Sequence, residues 1–136
     1  MLVAIKQMYL DKYPKEWYGK HPKDRIINEI LVMKASQHPN VVNYVDSFLY
    51  KNNLWVVMEY MKGESLAEIA INLTTEGQIA AVLRETCQGV DHLHRHGIAH
   101  RGIRSDHVLI SVNGDIKLSA SLHPRPSLSD CAVPEF

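Results

Sequence analysis

Residues 97–118 read GIAHRGIRSDHVLISVNGDIKL. Gly97 closes an apolar helical pattern, because glycine enters the left-handed conformation at a helix end without a side-chain penalty. A polar loop follows, His100-Arg101-Gly102 and then Arg104, Asp106 and His107. Two short apolar stretches, HVLIS and DIKLS, come after it and are joined through Val112-Asn113-Gly114. The Asn-Gly pair predicts a tight hairpin turn with positive φ at both residues. This helix, polar loop and hairpin sit side by side, and the rest of the fold is read from them outward.

Upstream, Ile79, Val82, Leu83, Cys87, Val90 and Leu93 recur at helical spacing, which predicts a helix from about Thr75 to His96 with those residues on its buried face. A short helix from Ser65 to about Leu73 precedes it. Further back, VVNYVDSFLY and LWVVMEY flank Lys51-Asn52-Asn53, the pattern of an antiparallel hairpin with a short loop. Residues DRIINEILVMKAS place Ile26, Ile27, Ile30, Leu31 and Met33 on one helical stripe, with Asp24 as the cap and Glu29 beside the stripe. Leu2 to Leu10 reads as a strand with almost no chain before it. Tyr13 to Lys23 reads as an irregular loop, and LHPRPSLSDCAVPEF shows no periodicity.

The 136 residues suffice for a real hydrophobic core. Fifteen Lys plus Arg balance fifteen Asp plus Glu, so no long-range field recruits nucleic acid or an anionic membrane. Cys87 and Cys131 are spaced for neither a disulfide framework nor a zinc site, and no run approaches a membrane span. The expectation is a soluble cytoplasmic protein with reduced thiols.

The strand VAIK, the helix with NEI, the hairpin ending in MEY, and HRG followed by SDHVLI together resemble a eukaryotic protein kinase catalytic domain. QM, IINEILVM, HPNVVNY, LWVVMEY and EGQIAAVLRE are similar to the small-GTPase-activated (PAK) branch of the serine/threonine kinases. The resemblance implies an α+β, two-lobed fold. Residues 1–61 would be a partial N-lobe without its first strands and Gly-rich loop. Residues 62–136 would be a partial C-lobe ending at AVPEF, which resembles the A-P-E box.

Residue by residue, the resemblance assigns Lys6 to the ATP α/β-phosphates and Glu29 to its ion-pair partner, Met58 to the gatekeeper, and Glu59, Tyr60 and Met61 to the adenine-binding hinge. Arg104 stands where the family has a lysine that touches the γ-phosphate. Three positions differ in kind. Gly102 occupies the place of the H-R-D aspartate, His107 that of a magnesium-binding asparagine, and Ala120 that of the D-F-G aspartate.

A positioned general base contributes roughly 10²–10⁴-fold, and metal stabilisation adds several kcal/mol. The expectation drawn from those three positions is a pseudokinase fragment, not an enzyme, that requires no cofactor, binds ATP weakly if at all and has no magnesium site. Its partners would be proteins, a kinase or a regulatory protein, with self-association through uncovered edges and with no nucleic acid or membrane. The alternatives are an ATP binder with weak residual kinase activity, and a truncated gene duplicate without a selected role. His92 and His96, four residues apart, invite a metal reading, but His94 and His100 match framework positions of the kinase pattern and no acidic or thiol ligand lies nearby. Asp106 and Asp115 read as loop and turn residues rather than substitutes for the missing carboxylates.

Overall fold

The computed structural model describes residues 2–9, 30–31, 33–34, 37–72, 75–100 and 102–119. The loop 13–23, the Asp24 cap, Ile26, Ile27 and the tail 120–136 lie outside the described residues.

β1 (Val3–Tyr9), β2 (Tyr44–Tyr50) and β3 (Asn53–Glu59) form an antiparallel sheet in the order β1-β3-β2. Alternation decides which side chains enter the core. Met8, Tyr44, Leu54 and Val56 turn to one side and meet Ile30, with Met33 and Met58 packed against them. On β2 and β3, Phe48 and Trp55 stand opposite each other and stack with ring centroids 6.1 Å apart. The β2–β3 connection is one residue tighter than the sequence predicts. Asn53 already belongs to β3, and Lys51 and Asn52 alone turn the chain, with φ of 48° and 60°. Two left-handed residues in succession match the twist of the strands they join, which offsets the cost of a side chain at each.

The second half holds β4 (Gly63–Ser65), helix α1 (Leu66–Ile69), a 3₁₀ turn (Ala70–Asn72), helix α2 (Glu76–Arg95), a 3₁₀ turn (Ser105–His107), β5 (Val108–Ser111) and β6 (Ile116–Leu118). β4-β5-β6 is a second antiparallel sheet. Thr75 caps α2: its hydroxyl oxygen accepts from the Gln78 amide at 3.2 Å. The Gln78 side chain reaches back to the Thr75 amide, so two otherwise orphaned donors are satisfied reciprocally. At the other end Gly97 takes a φ of 73°. Its N–H donates to His94 O and that of Ile98 donates to Leu93 O, a Schellman closure.

Two expectations change here. The apolar stripe of α2 is narrower than predicted: Val82 and Leu93 are buried and Val90 partly so, but Ile79 and Leu83 are 46% and 58% exposed and Cys87 is exposed. Leu83 and Cys87 fall about 100° or more around the helix from Val82, outside the arc that faces β6. The β5–β6 turn also differs from the two-residue form. Only Gly114 takes a positive φ (87°), Gly114 N–H donates to Ser111 O, and Ser111 N–H donates to Asp115 O. The turn is therefore of the longer kind that needs one left-handed residue.

Val41, Val82, Leu93, Val108 and Leu118 make a second core. Val41 reaches it on the strap 37–43, which crosses α2 and β6. Val42 N–H donates to Leu118 O at 3.0 Å, and Leu118 N–H donates to Asn40 O at 2.9 Å. The amide of buried Asn40 donates to Glu85 Oε2 (2.7 Å) and Ile116 O (3.0 Å). The chain thus fastens the second core before it enters β2.

Candidate functional site

Pairing of β1 with β3 puts Lys6 opposite Val56 and Ala4 opposite Met58. Lys6 and Ala4 share one face of β1, and Met8, two residues beyond Lys6, carries that face into the first core. Lys6 is half-buried, and desolvation holds its ammonium below the ordinary lysine range. No carboxylate among the described residues pairs with it, and Glu29 lies outside them. Met58, expected as the gatekeeper, packs against the first core opposite Ala4.

Glu59, the first of the residues expected to form a hinge, is held by two partners, Asn43 and Lys117. Its N–H donates to Asn43 O (3.0 Å), its Oε2 accepts from Asn43 Nδ2 (3.2 Å), and its Oε1 lies 2.6 Å from Lys117 Nζ. The side chains of Lys117 and Glu59 are only 16% and 27% exposed, so this pair is shielded from water far more than a surface bridge. Sequence reasoning missed both partners. Lys117 shows only as a polar residue alternating with Ile116 and Leu118, and Asn43 as one residue of a strand. Beyond Met61, Lys62 O accepts from Val112 N–H at 2.9 Å.

The loop after α2 is organised by its two histidines. His100 is buried. Its Nε2–H donates to Ser119 O at 2.6 Å, and its Nδ1 accepts from Gly102 N–H at 3.3 Å. One nitrogen donating and the other accepting fixes the neutral ring. Burial lowers its pKa, with the nearby His107 adding to the effect and the Ser119 carbonyl opposing it. His107 Nδ1–H donates to Gly102 O, its N–H donates to Arg104 O, and its own carbonyl accepts from Ser119 N–H. Gly102, His107 and Ser119 are thereby brought together, while Ala120 lies outside the described residues. Arg104 points to an exposed position and pairs with Asp106 through Nε at 3.0 Å. Asp115 accepts from Ser111 Oγ in the β5–β6 turn.

A magnesium ion takes oxygen ligands, chiefly carboxylates and water. The described groups do not fit one: Gly102 has no side chain, the Nδ1–H of His107 is engaged by a carbonyl, and Asp106 is held by Arg104. No cluster of three or more His, Cys, Asp or Glu that could hold a metal ion occurs among the described residues. His92 and His96 do meet, but as ring against ring, with centroids 4.4 Å apart. No helix among the described residues is long and apolar enough to cross a membrane.

A three-stranded antiparallel sheet with a lysine on β1, and a histidine-anchored loop between a long helix and a β-hairpin, are the features of a partial protein-kinase fold. The chain belongs to that family: the family model described as protein kinase domain matches residues 1–120. The chain is 60% identical over 118 residues to the serine/threonine-protein kinase SMU1 of Mycosarcoma maydis, covering 86% of this chain and 15% of the relative. It is 55% identical over 118 residues to the serine/threonine-protein kinase STE20 of Saccharomyces cerevisiae (86% and 12%), and 53% identical over 118 residues to the serine/threonine-protein kinase shk1/pak1 of Schizosaccharomyces pombe (86% and 17%). It spans between 12% and 17% of the length of these relatives.

These matches correct the expectation that the protein is not an enzyme. Relatives at 53–60% identity are all named as serine/threonine-protein kinases, which points to an enzyme. The expectation rested chiefly on the side chains at Gly102, His107 and Ala120. The matches weigh the frame of some 118 residues in which those side chains stand.

Proposed function

We propose that the chain is the nucleotide-binding part of a serine/threonine protein kinase of the STE20/PAK type, which binds ATP between β1 and the hinge and transfers its γ-phosphoryl group slowly to a protein hydroxyl. The observation that carries this reading is Lys6: a half-buried ammonium, desolvated and without a carboxylate partner among the described residues, on the strand that faces the hinge. A polyphosphate offers Lys6 negative charge, and adenine needs only the backbone groups of Glu59 to Met61. Arg104, paired with Asp106 through Nε alone, keeps guanidinium N–H groups to offer the terminal phosphate. Without a carboxylate at position 102, transfer loses the contribution of a positioned base, about 10²–10⁴-fold. Protein docking accompanies this chemistry, because the acceptor is itself a serine- or threonine-bearing protein.

The test is thermal unfolding of the chain with increasing ATP, with and without magnesium, beside a radiolabel transfer assay with a generic basic protein. ATP should raise the unfolding temperature with little dependence on magnesium. Lys6→Met should abolish both that rise and the slow transfer. No shift at millimolar ATP, or transfer that survives Lys6→Met, would refute the reading.

A further inference from the structure

The strap 37–43 is clasped to α2 by three imidazoles in a row. The rings of His38 and His92 stack with centroids 4.4 Å apart and an interplanar angle of 26°, and His92 meets His96 at 4.4 Å and 43°. His38 comes from the strap, while His92 lies in the last turn of α2 and His96 caps it. Neutral rings stack at this distance, whereas two charged ones repel. We propose that His38, His92 and His96 form a proton-responsive clasp, closed when the rings are neutral, that releases the strap from α2 when they are protonated.

The hydrogen bonds set how each ring responds. His38 Nδ1 accepts the Asn40 N–H at 3.1 Å. A proton on that nitrogen removes the bond and leaves a backbone donor without its partner at a buried residue. His96 Nδ1–H donates to His92 O at 2.8 Å, and this bond survives protonation of the other nitrogen. His96 therefore adds charge to the row without letting go of the helix, and His38 is the ring that lets go. Among the described residues, the charged and titratable groups acting on His92 are His38 from the strap, Asp91 and Arg95 from α2, and His96 at its cap. Asp91 is the only one of these that favours a protonated ring, and its carboxylate is already 2.8 Å from Arg95 Nε. Desolvation first, then His38 and His96, hold His92 below the ordinary histidine range, so a charged His92 is disfavoured while the stack is closed.

Release is readable at single amides. Val42 N–H is bonded to Leu118 O, and Leu118 N–H to Asn40 O, so both are protected only while the strap lies on β6. The experiment follows amide exchange of the chain by NMR at about pH 7.5 and about pH 5.5, on either side of the ordinary histidine range, corrected for the intrinsic pH dependence of exchange. The comparison set is His92→Phe, which keeps a ring and loses the titration, and His94→Gln, an exposed histidine of the same helix. Protection at Val42 and Leu118 should fall by roughly tenfold or more on acidification in the native chain and in His94→Gln, as expected for local opening. In His92→Phe it should fall by less, because His38 can still lose its bond to Asn40 but no second charged ring stands against it. Equal loss in His92→Phe, or unchanged protection in the native chain, overturns the clasp. Should His92→Phe fail to fold, the native chain still decides. Loss of protection at Val42 must track the titration of the His38 and His92 ring protons, and loss with any other midpoint overturns the proposal.

Discussion

His100 shows how one side chain can be read in sequence and completed only in space. The resemblance makes it a framework residue of the loop after α2. The structure adds that Ser119 O and Gly102 N–H hold its two nitrogens in the neutral form. Because burial holds its folded-state pKa below the ordinary 6.5, the unfolded chain takes up the proton first as pH falls. The stability due to the neutral ring is present above about pH 6.5 and is lost as pH falls through the lowered folded value. An NMR titration of the His100 ring proton should therefore have its midpoint below that of an unfolded histidine. A midpoint at or above it contradicts the assignment. Gly102 and His107 are legible in the sequence as unusual residues, but not as bonded to one another, since the bond depends on the curl of a loop that has no periodicity.

Among the elements, those that repeat are the ones a sequence reveals. β1, β2, β3 and α2 each carry a period and a bounding signal, and Thr75 and Gly97 bracket α2 as capping chemistry demands. β4 is not foreseeable, because its three residues, Gly63, Glu64 and Ser65, carry no alternation of polarity. What makes it a strand is its neighbour: a Cβ on Gly63 would collide with the Ile110 carbonyl oxygen. The absence of a side chain lets the backbones close. Gly63→Ala should cost about 1–3 kcal/mol through overpacking against backbone that has no rotamer to relax. Chemical denaturation would show it, and a loss within error would mean that β4 can shift along β5. The exposure of Ile79 and Leu83 is illegible for the converse reason: helical spacing gives a stripe its direction, while its width depends on what lies opposite.

At the scale of the whole molecule, Glu59–Lys117 joins β3 to β6 and is the most shielded ion pair among the described residues. Partners so far apart in sequence leave no trace in any local pattern, and so the pair escapes a sequence reading. Lys117→Met leaves a partly buried carboxylate with only Asn43 to satisfy it, and should cost about 1–3 kcal/mol. Glu59→Met combined with Lys117→Met should cost less than the sum of the single changes. Strict additivity in that denaturation cycle would show that the contact contributes nothing.

Gly89 gives the junction a mechanical meaning. A Cβ at this point of α2 would stand 2.5 Å from the Asn40 carbonyl oxygen, so the strap rests on bare helix backbone. That point is a fulcrum. The β2–β3 hairpin runs on from it on two strands of seven residues each. A displacement as small as one methyl group at the fulcrum becomes an angle, and the angle sweeps a wider arc the longer the arm. The direction in which the hairpin leaves the strap thus depends on a hydrogen atom standing where Gly89 has no side chain.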